Sequence, residues 1–286
     1  MDVRNEKVVV AGIGASGLDA CMLLNEMGAC VYATDQGNND VVAENARKLR
    51  ELYIETETGG HTESFISGCG MLVVSPGVPR ESLPVQYAVR NNIPVVGEIE
   101  LAASCCRGTI VAVTGTNGKS TVVSLLGDIF RKASRKTVVC GNIGNAFCGE
   151  IKNIDEETVV VLEVSSFQLE WITDFRPRVA CILNITDDHL DRYADFKEYF
   201  DAKARITLNQ GDRDFLLLNS DDAKLKSVPV RTRAKVFNFS KYNNVPGTFC
   251  RDQDVCFSDG RNTEVLFEMP LTRLTGPHNL ENILAA

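Results

Sequence analysis

Short apolar runs separated by helix-patterned stretches occupy most of the chain. Runs at 7–11, 29–34, 71–75, 94–96, 109–114, 137–140, 158–163, 179–184 and 215–219 have strand length and nearly continuous apolar character, which suits strands covered on both faces. Between them lie segments with helical spacing, among them 98–103 and 122–130. Such alternation predicts parallel α/β sheets. Two of the strands run into glycine loops, at Gly12 and at Gly115, so the chain reads as two units of this kind. The boundary is placed near Cys106-Arg107-Gly108, where a helix-like segment gives way to a new buried strand, and the expected domains are 1–106 and 107–286. From about 245 to 273 the pattern changes to short segments with turn signals such as Ser258-Asp259-Gly260, a β excursion at the edge of the second sheet. Segment 278–286 is helix-patterned up to the last residue, without a glycine cap or polar tail, from which a truncated chain is expected.

Composition narrows the class. With 286 residues and 44% hydrophobic content, the chain is long enough for roughly two domains with sizeable cores. No apolar run approaches the ~20 residues that span a bilayer, and the start, MDVRNEKVVVAGIG, turns into a glycine loop too early for a signal peptide. The ten cysteines are scattered, at Cys21, Cys30, Cys69, Cys140, Cys148 and Cys181 among others, without a CxxC pair. Neither Cys105-Cys106 nor Cys250 with Cys256 brings the histidines of a zinc site, so all read as reduced, mostly buried thiols. A net charge of −8 and the lack of a lysine/arginine stripe argue against nucleic acid. The expectation is a cytoplasmic monomer that engages neither nucleic acid nor membrane. Anionic small ligands would be held by local backbone nests and single cations, against an unfavourable overall field.

The glycine loops carry the candidate chemistry. Thr114-Gly115-Thr116-Asn117-Gly118-Lys119-Ser120-Thr121 follows an apolar strand and opens a helix, as a phosphate cradle requires. Its glycines let successive N–H groups converge on phosphate oxygens, and the helix start adds its positive dipole. Lys119 is placed to reach β- and γ-phosphates, and Ser120 or Thr121 to ligate Mg²⁺. The spacing GxxGK[ST] is shorter than the general GxxxxGK[ST] but keeps the Gly-Lys-Ser/Thr core. In the first unit, Gly12-Ile13-Gly14-Ala15-Ser16-Gly17 spells GxGxxG after a strand, with Asp35 closing the next strand where a ribose-binding acid would sit. The motif reads as a dinucleotide fingerprint, with glycines that serve only close helix–strand packing as the alternative. Ser75-Pro76-Gly77 ends another strand of this unit, so loops at Gly14, Asp35 and Ser75 can line one crevice suited to a nucleotide diphosphate, NAD or another.

Behind the phosphate cradle come Asn142 in GNIG, Glu163 and Ser165 in EVSSFQLE, and His189 in NITDDHLDRY, each at a strand end. On one rim, an acid and an imidazole can complete a Mg²⁺ shell around ATP phosphates. Taken singly, Glu163 also reads as a helix N-terminal charge, and His189 as a turn histidine. Lys203, in FKEYFDAKARI, reads as one more lysine on an amphipathic helix. The expected fold class is α/β: a Rossmann-like parallel-sheet N-terminal domain followed by a P-loop NTPase-like central α/β domain with a β excursion.

Together, TGTNGKST, GNIG, EVSSFQLE, NITDDHLDRY, Ala202-Lys203-Ala204-Arg205 and GPHNLENILAA resemble, in order and over nearly the whole chain, the motifs of the Mur ligases of peptidoglycan synthesis. SSFQLE and GEIEL (97–101) resemble most the member that adds D-glutamate to UDP-N-acetylmuramoyl-L-alanine. The resemblance implies an ATP-dependent amide ligase. The substrate carboxylate attacks the γ-phosphoryl group, and the amine displaces phosphate from the acyl phosphate, with ADP and phosphate released. It implies catalytic roles for Lys119, Glu163, His189 and Lys203. Gly115, Thr116, Asn117, Gly118, Lys119, Ser120 and Thr121 would bind the ATP phosphates, and Asn279 and Asn282 the adenine side. Ser120 and Glu163 would hold one Mg²⁺; His189 and Lys203, the latter carbamylated by CO₂, would hold a second. Ala15, Ser16, Asp35, Ser75, Pro76 and Gly77 would carry the uracil and diphosphate, while Asn142, Ser165 and His189 would contact the muramoyl-alanine part. The family normally has a carboxy-terminal domain that binds the amino acid; without it, the 286-residue chain is expected to ligate poorly or not at all. The alternatives are another ATP-dependent amide ligase, such as the muramate:L-alanine member or a folylpolyglutamate-type enzyme, an NAD-dependent oxidoreductase built on the first loop, and a non-catalytic nucleotide-binding module.

Overall fold

Val8, Val9, Val10 and Ala11 are wholly buried, each side chain contributing about 1–3 kcal/mol of apolar burial, and this run is the middle strand of a five-stranded sheet. The structure, a computed structural model, describes residues 1–186, 192–227, 230–269 and 276–286. The first elements are β1 (Lys7–Ala11), α1 (Ala15–Glu26), β2 (Cys30–Asp35), α2 (Asp40–Glu51), β3 (Glu55–Thr58), α3 (Glu63–Ile66), β4 (Met71–Val74), α4 (Leu83–Arg90), β5 (Val95–Gly97) and α5 (Glu98–Cys105). Their strands pair in parallel in the order β3-β2-β1-β4-β5. Helix starts follow local chemistry: Asn39 caps α2 by accepting the Val42 N–H at 3.0 Å, and α4 has a proline in its first turn.

The chain continues as β6 (Thr109–Thr114), α6 (Lys119–Lys132), β7 (Thr137–Gly141), α7 (Phe147–Glu150), β8 (Val159–Glu163), α8 (Ser166–Leu169), β9 (Val179–Ile182), α9 (Phe196–Ala204), β10 (Phe215–Asn219), α10 (Ala223–Ser227), β11 (Lys235–Ser240), β12 (Gly247–Arg251), β13 (Asp254–Ser258), β14 (Thr263–Glu268) and α11 (Pro277–Ala285). Its sheet has the order β14-β13-β12-β11-β10-β9-β6-β8-β7. Pairing is parallel from β7 through to β12 and antiparallel in β12–β13–β14. The fold class is therefore the expected one, with the β excursion forming one edge of the second sheet. Val113, Val122, Val161, Cys181, Phe239 and Leu284 belong to its core.

By its internal contacts the chain forms two units. One holds residues 1–106 together with 144–154 and 167–175; the other holds 107–143, 155–166 and 176–286. Two buried carboxylates of α5 secure the added segments of the first unit. Glu100 accepts the backbone N–H groups of Thr173, Asp174 and Phe175 at 2.8, 2.9 and 3.0 Å, and Glu98 accepts that of Cys148 at 2.6 Å. Paired in this way, the two acids recover in hydrogen bonds part of what burial costs them.

All ten cysteines are free thiols, and burial pushes the Cys21 and Cys181 thiols well above the ordinary thiol range, which makes them inert. Among the described residues, no helix is long and apolar enough to cross a membrane.

Candidate functional site

Four loops of the second unit leave its sheet at one level. Glu163 is in register with Gly141 on one side and Val113 on the other, and Val113 is in register with Cys181. The residues that follow are Asn142, Val164, Thr114-Gly115 and Ile182-Leu183, so the segments carrying the candidate groups emerge side by side at the carboxyl ends of parallel strands.

The loop after β6 has the backbone of a phosphate cradle. Gly115 and Gly118 have φ of +153° and +84°, values that cost a side-chain-bearing residue strain. A Cβ on Gly115 would lie 3.0 Å from Leu183 Cβ, so the loop is seated directly on the β9 exit. Asn184 laces it there. Its backbone O accepts the Thr116 N–H at 3.0 Å, its Oδ1 accepts the Asn117 N–H at 2.8 Å, and its Nδ2 donates to Asn117 O at 3.0 Å. Helix α6 opens at Lys119 with Gly118 as its cap residue and no side-chain cap, which leaves the first-turn N–H groups to an incoming anion. Lys119 Nζ donates to Gly115 O and Thr116 O at 3.0 and 2.9 Å. Ser120 and Thr121 occupy the same first turn.

Beside the loop stands Glu163, 2% exposed. Its Oε1 accepts Asn142 Nδ2 at 2.9 Å, and its Oε2 is buried with no hydrogen-bond partner among the described residues. An ionisable oxygen held in that state is one that a cation can satisfy. Among the described residues no three His, Cys, Asp or Glu side chains gather as a metal cluster, so a cation here would depend on Glu163, a hydroxyl and the ligand's own oxygens. Lys203, on α9, is 2% exposed; its Nζ donates to Gly115 O at 2.9 Å and lies 4.7 Å from the centre of the Tyr199 ring. Ser165 is half-buried just beyond β8. Asn282 reaches the loop from α11, where a Cβ added to Gly118 would meet its Oδ1 at 2.3 Å; Asn279 Oδ1 is 3.5 Å from Asn282 Nδ2. His189 lies outside the described residues.

In the first unit, the loop after β1 is closed by its own groups. The Ile13 N–H donates to Asp35 Oδ2 and the Gly37 N–H to Asp35 Oδ1, both at 2.7 Å, so Asp35 organises the glycine loop. Ser75 Oγ donates to Gly12 O at 2.7 Å, and a Cβ on Gly17 would lie 1.8 Å from Gly12 O. Ala15 and Ser16 start α1 and open its N-terminal amides beside this loop; Pro76 and Gly77 follow Ser75.

Residues 113–286 match the family described as Mur ligase middle domain, and residues 6–97 match the Mur ligase MurD-like, N-terminal domain. The chain belongs to the Mur ligase family. It is 39% identical over 287 residues to a UDP-N-acetylmuramoylalanine--D-glutamate ligase of Thermoanaerobacter sp. (strain X514) and 41% identical to one of Koribacter versatilis (strain Ellin345). Each match covers 100% of this chain and 63% of the relative, so the chain spans under two thirds of their length. Among solved structures it is similar to the UDP-N-acetylmuramate:L-alanyl-gamma-D-glutamyl-meso-diaminopimelate ligase from Neisseria meningitides, with a TM-score of 0.63 at 18% identity over 98% of this chain and 91% of that one. A MurF ligase from Thermotoga maritima in complex with ADP gives a TM-score of 0.50 at 18% identity, covering 99% of this chain and 59% of that one.

The Mur ligase motifs account for the loops but not for all that holds them. Tyr199, one turn before Lys203, is buried and places its hydroxyl 3.2 Å from Thr116 Oγ1 while its ring faces Lys203. The i to i+4 spacing of Tyr199 and Lys203 was the available signal, and it points to a shared helix face without saying what that face meets. Gly118→Ala is expected to lower stability by about 1–2 kcal/mol, because it adds both positive-φ strain and the Asn282 contact; the thermal unfolding midpoint reads it.

Proposed function

We propose that this Mur ligase chain binds UDP-N-acetylmuramoyl-L-alanine on its first unit and MgATP on its second, for the ATP-dependent addition of D-glutamate through an acyl phosphate. The observation that carries the reading is the second unit's rim, where a glycine cradle adjoins a buried carboxylate oxygen with no partner among the described residues. The relatives' names support the choice of substrate.

In this reading the α6 amides receive phosphate oxygens, and Lys119 turns from Gly115 O and Thr116 O to the β- and γ-phosphates. Both partners of the first step are anions and the chain carries −8, so these few local donors do the neutralising. Ser120 and Glu163 would hold Mg²⁺, which when bound supplies charge neutralisation between the phosphates. Asn142 Nδ2 fixes one Glu163 oxygen and thereby aims the other. His189 and a carbamylated Lys203 would hold a second Mg²⁺; Lys203 Nζ is already one hydrogen bond from the cradle. Asn279 and Asn282 serve the adenine side, Asn142 and Ser165 the muramoyl-alanine part. Ala15, Ser16, Asp35, Ser75, Pro76 and Gly77 serve the uracil and diphosphate. As part of the same reading the chain acts as a cytoplasmic monomer, which sedimentation tests for the oligomeric state.

Titration calorimetry with UDP-N-acetylmuramoyl-L-alanine, MgATP and NAD decides the assignment. Binding of the first two without NAD is expected. Tight NAD binding with no response to the muramoyl nucleotide would overturn it in favour of an oxidoreductase.

A further inference from the structure

Thr34, at the end of β2, is wholly buried, and its single hydroxyl proton has a taker: Oγ1 donates to Glu57 Oε2 on β3 at 3.0 Å. The Glu57 carboxylate also accepts the N–H of Thr62 at 3.0 Å and its hydroxyl at 2.6 Å, so it acts purely as an acceptor. With its proton committed there, Thr34 Oγ1 must receive at its second contact, 2.7 Å from His61 Nδ1. The imidazole proton therefore sits on Nδ1, and Nε2 carries a lone pair. Nε2 has no hydrogen-bond partner among the described residues.

The position of this acceptor matters. Asp35 is in register with Thr58, and the Gly60 N–H reaches Asp35 O at 3.3 Å, so the half-buried His61 ring stands at the carboxyl ends of β2 and β3 beside Asp35. That is the end of an open α/β sheet where ligands are received. Each oxygen of Asp35 is held by one loop N–H group, and beside it His61 Nε2 is an acceptor with no hydrogen-bond partner among the described residues.

We propose that His61 is a specificity-determining residue of the crevice, its Nε2 accepting a hydrogen bond from the ring N–H of a uracil base. The inference rests on the reading of the first unit as a UDP site and adds to it a means of telling uracil from cytosine. Cytosine presents a lone pair where uracil has its N3–H, and two facing acceptors repel. Burial pushes the His61 pKa below the usual imidazole range, against the upward pull of Asp35 on β2 and Glu57 on β3, the charged groups that face it. The ring is thus unprotonated at pH 7, as acceptance requires.

His61→Asn keeps a donor for Thr34 and removes the Nε2 acceptor. Calorimetry with UDP and CDP at pH 7.5 is expected to show a preference for UDP of about tenfold in the native chain and near-equal affinities in the variant. An unchanged UDP/CDP ratio in His61→Asn overturns the proposal. Failure of the native chain to bind UDP at any pH sinks the UDP reading itself. Nitrogen-15 spectra of the histidine rings, with His61 assigned by the variant, separate the two: an Nε2–H tautomer overturns the inference whatever binds.

Discussion

Lys119→Ala is expected to weaken MgATP binding about a thousandfold while leaving the unfolding midpoint unchanged. The loss is that of two or more charge-assisted hydrogen bonds to phosphate, each about 1.5–3 kcal/mol, and 4 kcal/mol corresponds to about three decades in affinity. The first turn of α6 offers backbone dipoles and no second cation, so Lys119 is the charge that this turn itself brings to the phosphates. The fold should tolerate the change. Among the carbonyls that Lys119 Nζ reaches, Gly115 O keeps Lys203 Nζ as a donor, and Thr116 O lies on a partly solvated loop. Lys119→Arg, which retains the charge on a bulkier head, should recover part of the affinity. Calorimetry beside a thermal melt checks both halves. A loss under tenfold would mean that the cradle does not receive phosphate through Lys119.

The elements that the sequence displays best are those whose physics is local. A strand buried on both faces needs an unbroken apolar run, as in β1, β6 and β8, and a phosphate cradle needs glycine where φ turns positive, as at Gly115 and Gly118. Strand β3 shows the opposite case. Its residues, ETET, lie on a sheet edge, where no apolar run is required, and nothing in them announces a strand. Strand β11 (KVFNFS) likewise falls outside the expected runs, its polar Lys235, Asn238 and Ser240 breaking the apolar signal. The site divides in the same way. Lys119, Ser120, Glu163 and Asn142 are legible because motif spacing places them at strand ends, whereas the laces from Asn184 and Tyr199 and the tautomer of His61 depend on partners far along the chain. Segments 144–154 and 167–175 join the first unit through carboxylate-to-backbone bonds across 50 to 75 residues, a pairing with no local signature.

One of those bonds leads to the second large effect. Glu98, 2% exposed, accepts the Cys148 N–H through Oε1, while its Oε2 is buried with no hydrogen-bond partner among the described residues. Burial pushes its pKa up to about 7, the Cys148 N–H pulling down and nearby Asp19 pushing further up. An unfolded glutamate titrates near 4.5, so between pH 4.5 and pH 7 the folded chain holds a proton that the unfolded chain has released. Stability must then fall as pH rises through that window, and above it the buried carboxylate costs about 3 kcal/mol. Glu98→Gln keeps a carbonyl oxygen for Cys148 and cannot ionise. At pH 8 it is expected to be more stable than the native chain by about 2–3 kcal/mol, and at pH 4.5 the difference should vanish. Denaturant melts across this range read the gap directly, and parallel profiles for the two chains would show that Glu98 does not titrate there. Glu100→Gln is the contrasting control. Glu100 serves three N–H groups from one carboxylate, and an amide offers a single oxygen in its place. That variant should lose stability, so two acids two residues apart on one helix should respond to the same substitution with opposite signs.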